Sequence, residues 1–282
     1  MKLTAGSQGF DISHHQSINY DGMMKAKAAG YSFVFIRASH GFNKDKKFEK
    51  HYSAAKAAGL QVGTYSYYYY KDDADSKRET ETFLKAIDGK HFDFPVCVDA
   101  ENRGEYARGR HLGALPYTTI TDRVLAALSA IKAAGFRTGL YCDVNWAKTK
   151  MQMERIPSDC TVWLADWAGK LDYSDRCEIR QYSDNIAIPG VGSGIDANRL
   201  LVDFATEVIG GAFGVIVNCM FWCNRRMGPS TDTQKMGKAT RGLDIFINGK
   251  RYVKGVLWYH DSDGTWLHSK FVQTNPDEIP YM

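Results

Sequence analysis

The sequence predicts an α/β protein: a closed β/α barrel whose helices thin out in its second half, followed by a small all-β module. Three observations carry this. The phrase Ala-Ala-Gly followed at once by an apolar strand occurs at residues 28–30, 57–59 and 133–135. A helix closing on glycine and feeding a strand is the joint of a repeated β/α unit, and such alternation implies a parallel sheet. Eight strand candidates fall within about 200 residues, which favours a closed sheet over an open doubly wound one. Past residue 214 the alternation stops, and short strands separated by turns such as Asn248-Gly249 and Asp263-Gly264 take over.

The elements follow in order. Residues 8–13 read as a short strand carrying Asp11, with a polar loop from His14-His15-Gln16. A helix over 20–30 takes Asp21 as its cap and Gly30 as its stop. The apolar strand 32–37 ends in Arg37. A helix over 48–58 closes on Gly59, and the strand 60–69 places Tyr65, Tyr67 and Tyr69 on one face and Ser66, Tyr68 and Tyr70 on the other. A helix over 75–87 leads to the strand that begins at Phe94-Pro95 and ends in V-D-A-E-N at 98–102. The helix 119–134 stops at Gly135 and feeds the strand 136–141. Later strands are 161–165, 178–182 and a short one near Ile195 and Asp196, with little room for helices between them.

Length and composition set bounds. At 282 residues, with 44% hydrophobic and 24% charged, the chain suits one large and one small folded unit: 1–208, a linker at 209–214, and 215–282. No apolar run reaches the roughly 18 residues of a membrane span. The start M-K-L-T-A-G-S lacks the apolar segment of a signal peptide, so the expected product is made in the cytoplasm without a leader. A net charge of +4 is too mild to argue for nucleic acid and suits a polyanionic partner only weakly. Nine Lys/Arg against six Asp/Glu lie beyond residue 211. The six cysteines show no C-x-x-C spacing, so buried free thiols are expected rather than a zinc site. His14 and His15 have no ligand spacing to a third group. No metal and no cofactor is expected.

Asp99 and Glu101 alternate with Ala100, so they share a strand face with Cα atoms roughly 6 to 7 Å apart. Like charges so close, and partly desolvated, push one carboxyl toward the protonated form, the arrangement that lets one site hold an acid beside a base. Asp11, Arg37, Tyr65, Tyr67, Asp99, Glu101, Tyr141, Trp163, Asp166, Gln181 and Asp196 all fall at the C-terminal ends of predicted strands. In a TIM-like β/α barrel that rim is where catalytic residues sit. Closure of the sheet would bring Asp11 beside Asp196, with Asp99 and Glu101 on the opposite wall of the mouth. Each residue has a plainer reading: the tyrosines and tryptophans as core, and Arg37 as the partner of a neighbouring carboxylate.

At these residues the chain resembles the glycoside hydrolase family 25 muramidases, lysozymes common among phage endolysins. The matching pieces are G-F-D-I-S at 9–13, F-V-F-I-R-A at 33–38, V-G-T-Y-S-Y at 62–67, V-D-A-E at 98–101, G-L-Y at 139–141, V-W-L-A-D-W at 162–167, Q-Y-S at 181–183 and I-D-A-N-R at 195–199. The resemblance implies an eight-stranded barrel with helices missing from its second half. It implies Glu101 as general acid, Asp99 as a partner that polarises the substrate 2-acetamido group, and Asp11 and Asp196 as the remaining acidic positions of the catalytic set. Arg37, Tyr65, Tyr67, Tyr141, Trp163, Asp166 and Gln181 would bind substrate, which would be bacterial peptidoglycan, reached after release through a membrane pore. Two departures stand out: Arg180 where an aromatic residue is usual before Gln181, and D-A-N at 196–198 for the common D-L-N.

The C-terminal piece resembles a bacterial SH3-like wall-binding domain through Asn224, Arg226, G-P-S-T at 228–231 and T-W-L-H-S-K-F-V at 265–272. Trp222, Trp258, Tyr259 and Trp266 are its candidate groove residues, with the small core claiming at least half of them. Two rival readings are a metal-dependent barrel hydrolase and an inactive wall-carbohydrate-binding protein.

Overall fold

The computed structural model describes residues 2–69, 72–101, 112–169, 176–205, 212–261, 264–279 and 281. Tyr70, Asn102, Asp263 and residues 209–211 of the expected linker lie outside them. The first unit runs β1 (Gln8–Ile12), α1 (Tyr20–Ala28), β2 (Tyr31–His40), α2 (Phe48–Ala57), β3 (Gln61–Tyr67), α3 (Asp73–Ala86), β4 (Val96–Asp99), α4 (Tyr117–Ala133), β5 (Thr138–Asp143), α5 (Val144–Thr149), β6 (Thr161–Ala165), β7 (Ile179–Ile188) and β8 (Gly192–Leu200). Gly30, Gly59 and Gly135 have φ of +97°, +71° and +89°, the left-handed conformation that ends a helix and that only glycine adopts without strain. Asn19 caps α1, its side chain accepting from the Gly22 N–H at 3.0 Å. The expected cap, Asp21, sits instead in the first turn, where its charge suits the helix dipole.

Strands β1 to β7 pair in parallel, each with the next. The ring is closed by β8, which is antiparallel to both β7 and β1. This corrects the expectation of a parallel sheet throughout, and of Asp196 at a strand's C-terminal end. Only residues 189–191 separate β7 from β8, too few for a crossover, so the two strands form a hairpin. Asp196 reaches the mouth on a strand running the other way and lies opposite Asp11 in register.

The barrel interior is packed with rings. Phe33 stacks on Phe94 at 4.9 Å, Phe94 on Phe204 at 4.9 Å, and Phe35 on Trp163 at 4.4 Å. Glycines opposite make room for them: a Cβ at Gly9 or Gly63 would lie 2.3 Å from the ring of Phe33 or Phe35. This large-against-small filling makes the barrel a solid support for its rim. A second apolar layer joins the outer strand faces, Val34, Ile36, Val98, Leu140 and Val162 among them, to Met23, Phe48, Tyr52, Phe83 and Ile131 of the helices.

The second unit is a seven-stranded antiparallel sheet: β9 (Ala212–Ile216), β10 (Trp222–Arg226), β11 (Lys235–Thr240), β12 (Asp244–Val253), β13 (Val256–Asp261), β14 (Trp266–His268) and β15 (Val272–Thr274), in the order β11-β10-β14-β13-β12-β9-β15. Residues 212–214 of the expected linker are therefore strand, paired with β12. Ile216, Ile245, Ile247, Tyr259 and Leu267 form its core. Trp258, Tyr259 and Trp266 are buried, which leaves Trp222 as the one exposed member of the four candidate groove residues. The module meets the barrel at α2 and through Phe246, whose ring lies 5.2 Å from that of His91. All six cysteines are unpaired thiols, and all but Cys219 are buried. Among the described residues no helix is long and apolar enough to cross a membrane.

Candidate active site

Alternation along β1, β4, β5, β7 and β8 turns Asp11, Asp99, Tyr141, Gln181 and Asn198 toward the barrel axis near its mouth. Asp11 is 5% exposed, and its Oδ2 accepts from Gln181 Nε2 at 2.9 Å and Asn198 Nδ2 at 2.8 Å. Both amides are held from behind. Trp163 Nε1 donates to Asn198 Oδ1 at 2.8 Å, and Tyr141 Oη and Trp167 Nε1 each donate to Gln181 Oε1 at 3.0 Å. A buried carboxylate needs such neutral donors to remain charged. The network spans five strands and locks one wall of the mouth.

Asp99 is 4% exposed and lies in register between Tyr67 of β3 and Tyr141 of β5. The Tyr65 hydroxyl is buried and donates to the Ile12 carbonyl at 3.5 Å. Burial raises its pKa well above the ordinary value, with the charges of Asp11, Asp99 and Asp196 adding and that of Arg37 opposing. Carboxylates from β1, β4 and β8 thus all bear electrostatically on one phenol. Beside them opens a cleft of about 520 Å³ lined by Glu101, Tyr141, Asp143, Asn145, Asp166 and Trp167. Glu101 is partly exposed there, in contrast to buried Asp99.

Arg37 follows its plainer reading. Its Nε donates to Asp45 Oδ2 at 3.0 Å and its guanidinium also meets His14 Nδ1. Burial works to raise the Asp45 pKa, but the Lys47 N–H and the Arg37 charge outweigh it and hold the pKa below its usual value. Trp163, 1% exposed, and Gln181, 2% exposed, lie beneath the surface. They brace the site from inside instead of presenting a face to a ligand. Tyr65, Tyr67, Tyr141 and Asp166 lie at the mouth with only edges open. Among the described residues no group of three or more His, Cys, Asp or Glu could hold a metal ion.

Four participants escaped the sequence reading. Asn198 shares a strand face with Asp196, which was its available signal. Asp143 caps α5 through the Trp146 N–H at 2.8 Å while lining the cleft. Trp167, the last residue of the V-W-L-A-D-W run, is 45% exposed on that cleft where a tryptophan is more often core. Asp45, eight residues beyond Arg37, is the neighbouring carboxylate that the plainer reading of Arg37 left unnamed.

A closed barrel with carboxylates gathered among aromatic rings at its C-terminal mouth, and with an accessible acid beside them, suits a glycoside hydrolase. The family model of glycosyl hydrolases family 25 matches residues 10–191. The chain belongs to that family. It is 24% identical over 212 residues to an autolytic lysozyme of Clostridium acetobutylicum, covering 74% of this chain and spanning 59% of that protein's length. Its fold is similar to the bacterial lysozyme from Streptomyces coelicolor, with a TM-score of 0.59, 24% identity, and coverage of 70% of this chain and 93% of that one. It is also similar to the modular autolysin LytC from Streptococcus pneumoniae in complex with a synthetic peptidoglycan ligand, with a TM-score of 0.62, 17% identity, and coverage of 69% and 46%.

Proposed function

We propose that this chain is a muramidase that hydrolyses the β-1,4 bond between N-acetylmuramic acid and N-acetylglucosamine in bacterial peptidoglycan. Glu101 gives its proton to the glycosidic oxygen as the bond breaks. Asp99 holds the N–H of the substrate 2-acetamido group, whose carbonyl oxygen attacks the anomeric carbon. Water then opens the resulting ring, losing its proton to Glu101. The contrast in burial supports this division: the accessible carboxyl suits proton exchange, and the buried one suits a fixed hydrogen bond. Asp11 and Asp196 supply negative potential for the oxocarbenium-like transition state. The observation that carries the reading is the placement of Asp11 opposite Asp196 where the barrel closes, with Asp99 buried at the end of β4 and Glu101 in the adjoining cleft.

The C-terminal sheet acts in this reading as an SH3-like wall anchor, and the whole as a phage endolysin released through a membrane pore. Exposed Phe221 and Trp222, with Lys238 Nζ 3.8 Å from the centre of the Trp222 ring, support a binding role for the module. The test is digestion of purified peptidoglycan with mass spectrometry of the new ends, beside Glu101→Gln. Reducing-end N-acetylmuramic acid, absent with the variant, is the expected result. Reducing-end N-acetylglucosamine, peptide-bond products, or full activity of the variant would overturn it.

A further inference from the structure

The rim segment 166–169 is tied to the beginning of β7 by two consecutive residues. Gln181 faces inward; its carbonyl accepts from the Asp166 N–H at 3.0 Å and its side chain accepts from the Trp167 indole at 3.0 Å. Arg180 faces outward and folds back over the segment. Its Nε and a terminal nitrogen both donate to the Asp166 carbonyl, at 3.1 and 2.8 Å, and that same nitrogen lies 3.5 Å from Asp166 Oδ2. The fork geometry of guanidinium allows this double donation, which an ammonium cannot match. The segment then turns through Gly169 at φ +74°, where a Cβ would lie 3.5 Å from the guanidinium.

What the strap holds is Trp167. Its indole N–H is fixed, yet the ring is 45% exposed and lines the cleft with Glu101, Asp143 and Asn145. A large ring pinned at its polar end and open on its face is a stacking platform. Ordering it before the ligand arrives removes that cost from binding.

We propose that Arg180 is a positioning residue that fixes the segment 166–169 so that Trp167 presents a stacking surface for a sugar ring beside Glu101. This rests on the muramidase reading. Arg180 touches no reacting atom; its effect reaches substrate through Trp167 and appears in affinity rather than in turnover.

The test measures initial rates on soluble peptidoglycan oligosaccharides with Arg180→Ala, Arg180→Lys, Trp167→Ala and the double variant Arg180→Ala/Trp167→Ala. Dissociation constants for the same oligosaccharides are measured calorimetrically in a Glu101→Gln background. Arg180→Ala should raise KM and Kd about tenfold, the scale of one lost stacking contact, with kcat within about twofold. Arg180→Lys should recover part of this, and the double variant should be no worse than Trp167→Ala alone. An unchanged KM and Kd, a loss confined to kcat, or full additivity with Trp167→Ala would overturn the proposal. Absence of any new reducing end with the unaltered chain would sink the muramidase reading instead, and the calorimetry would still decide the role of Arg180.

Discussion

The barrel mouth and the C-terminal sheet carry their chemistry in opposite ways. In the barrel, Asp11 and Gln181 are nearly sealed from water and cross-braced by hydrogen bonds from several strands, and Asp99 is as deeply buried. In the module, Met220 and Phe221 are 80% and 70% exposed on its surface. Charge development in a transition state is stabilised by dipoles that do not reorganise, so a catalytic centre gains from burial. Contact with an extended polymer needs surface, so a binding face gains from exposure. The two regions should therefore fail differently when altered.

The largest effect belongs to the barrel. Asp99→Asn should lower the rate of peptidoglycan cleavage by roughly a thousandfold, the scale of one lost preorganised electrostatic group, with wall binding and melting temperature unchanged. A loss of binding along with rate would break the division of labour. Next comes His51, wholly buried in α2, with neither ring nitrogen hydrogen-bonded. Burial lowers its pKa from 6.5 to about 4, with Lys47 and Lys50 adding and Asp45 opposing. Between those values the unfolded chain binds a proton that the folded barrel refuses. The barrel should lose stability as pH falls through this window, by roughly 3 kcal/mol when complete. Denaturant titrations from pH 7 to 4 on the unaltered chain and His51→Leu check this; the variant should show the shallower slope.

The module has the opposite sense. Burial raises the Asp244 pKa from 3.8 to about 7, Lys90 of the barrel opposing and Glu49 adding. Folding retains a proton there that the unfolded chain has released, so its contribution is fully present below pH 3.8 and is lost as pH rises toward 7. Asp244→Asn should flatten this part of the pH dependence, read as the unfolding of the C-terminal sheet. A fourth change probes the bracing. Asn198→Leu strips Asp11 of one donor in a buried setting and should cost about 2 kcal/mol of stability together with activity. The smallest effect is on the module's surface. Phe221→Ala with Trp222→Ala should weaken cosedimentation with cell walls by about tenfold, leaving cleavage of soluble oligosaccharides untouched.

The legible parts of this molecule are those set by local chemistry. Gly30, Gly59 and Gly135 mark helix ends because a left-handed residue is needed within one turn, and the V-D-A-E strand announces itself through alternation. Strand direction is not local: the pattern around Ile195 and Asp196 marks a strand without saying which way it runs, and the short link at 189–191 decides that. The bracing of Asp11 was equally hidden, since Gln181 and Asn198 approach from 170 and 187 residues away. Core is the commoner reading for both Trp163 and Trp167; which of the two points outward depends on where β6 ends.

The central claim is that Glu101 and Asp99 act through the substrate's own amide. It is tested most directly by following the anomeric protons of the N-acetylmuramic acid end by NMR as soluble oligosaccharide is cleaved. Internal attack followed by water predicts that the β-anomer forms first, with the α-anomer growing only by mutarotation. Initial formation of the α-anomer would mean single displacement by water and would contradict the account.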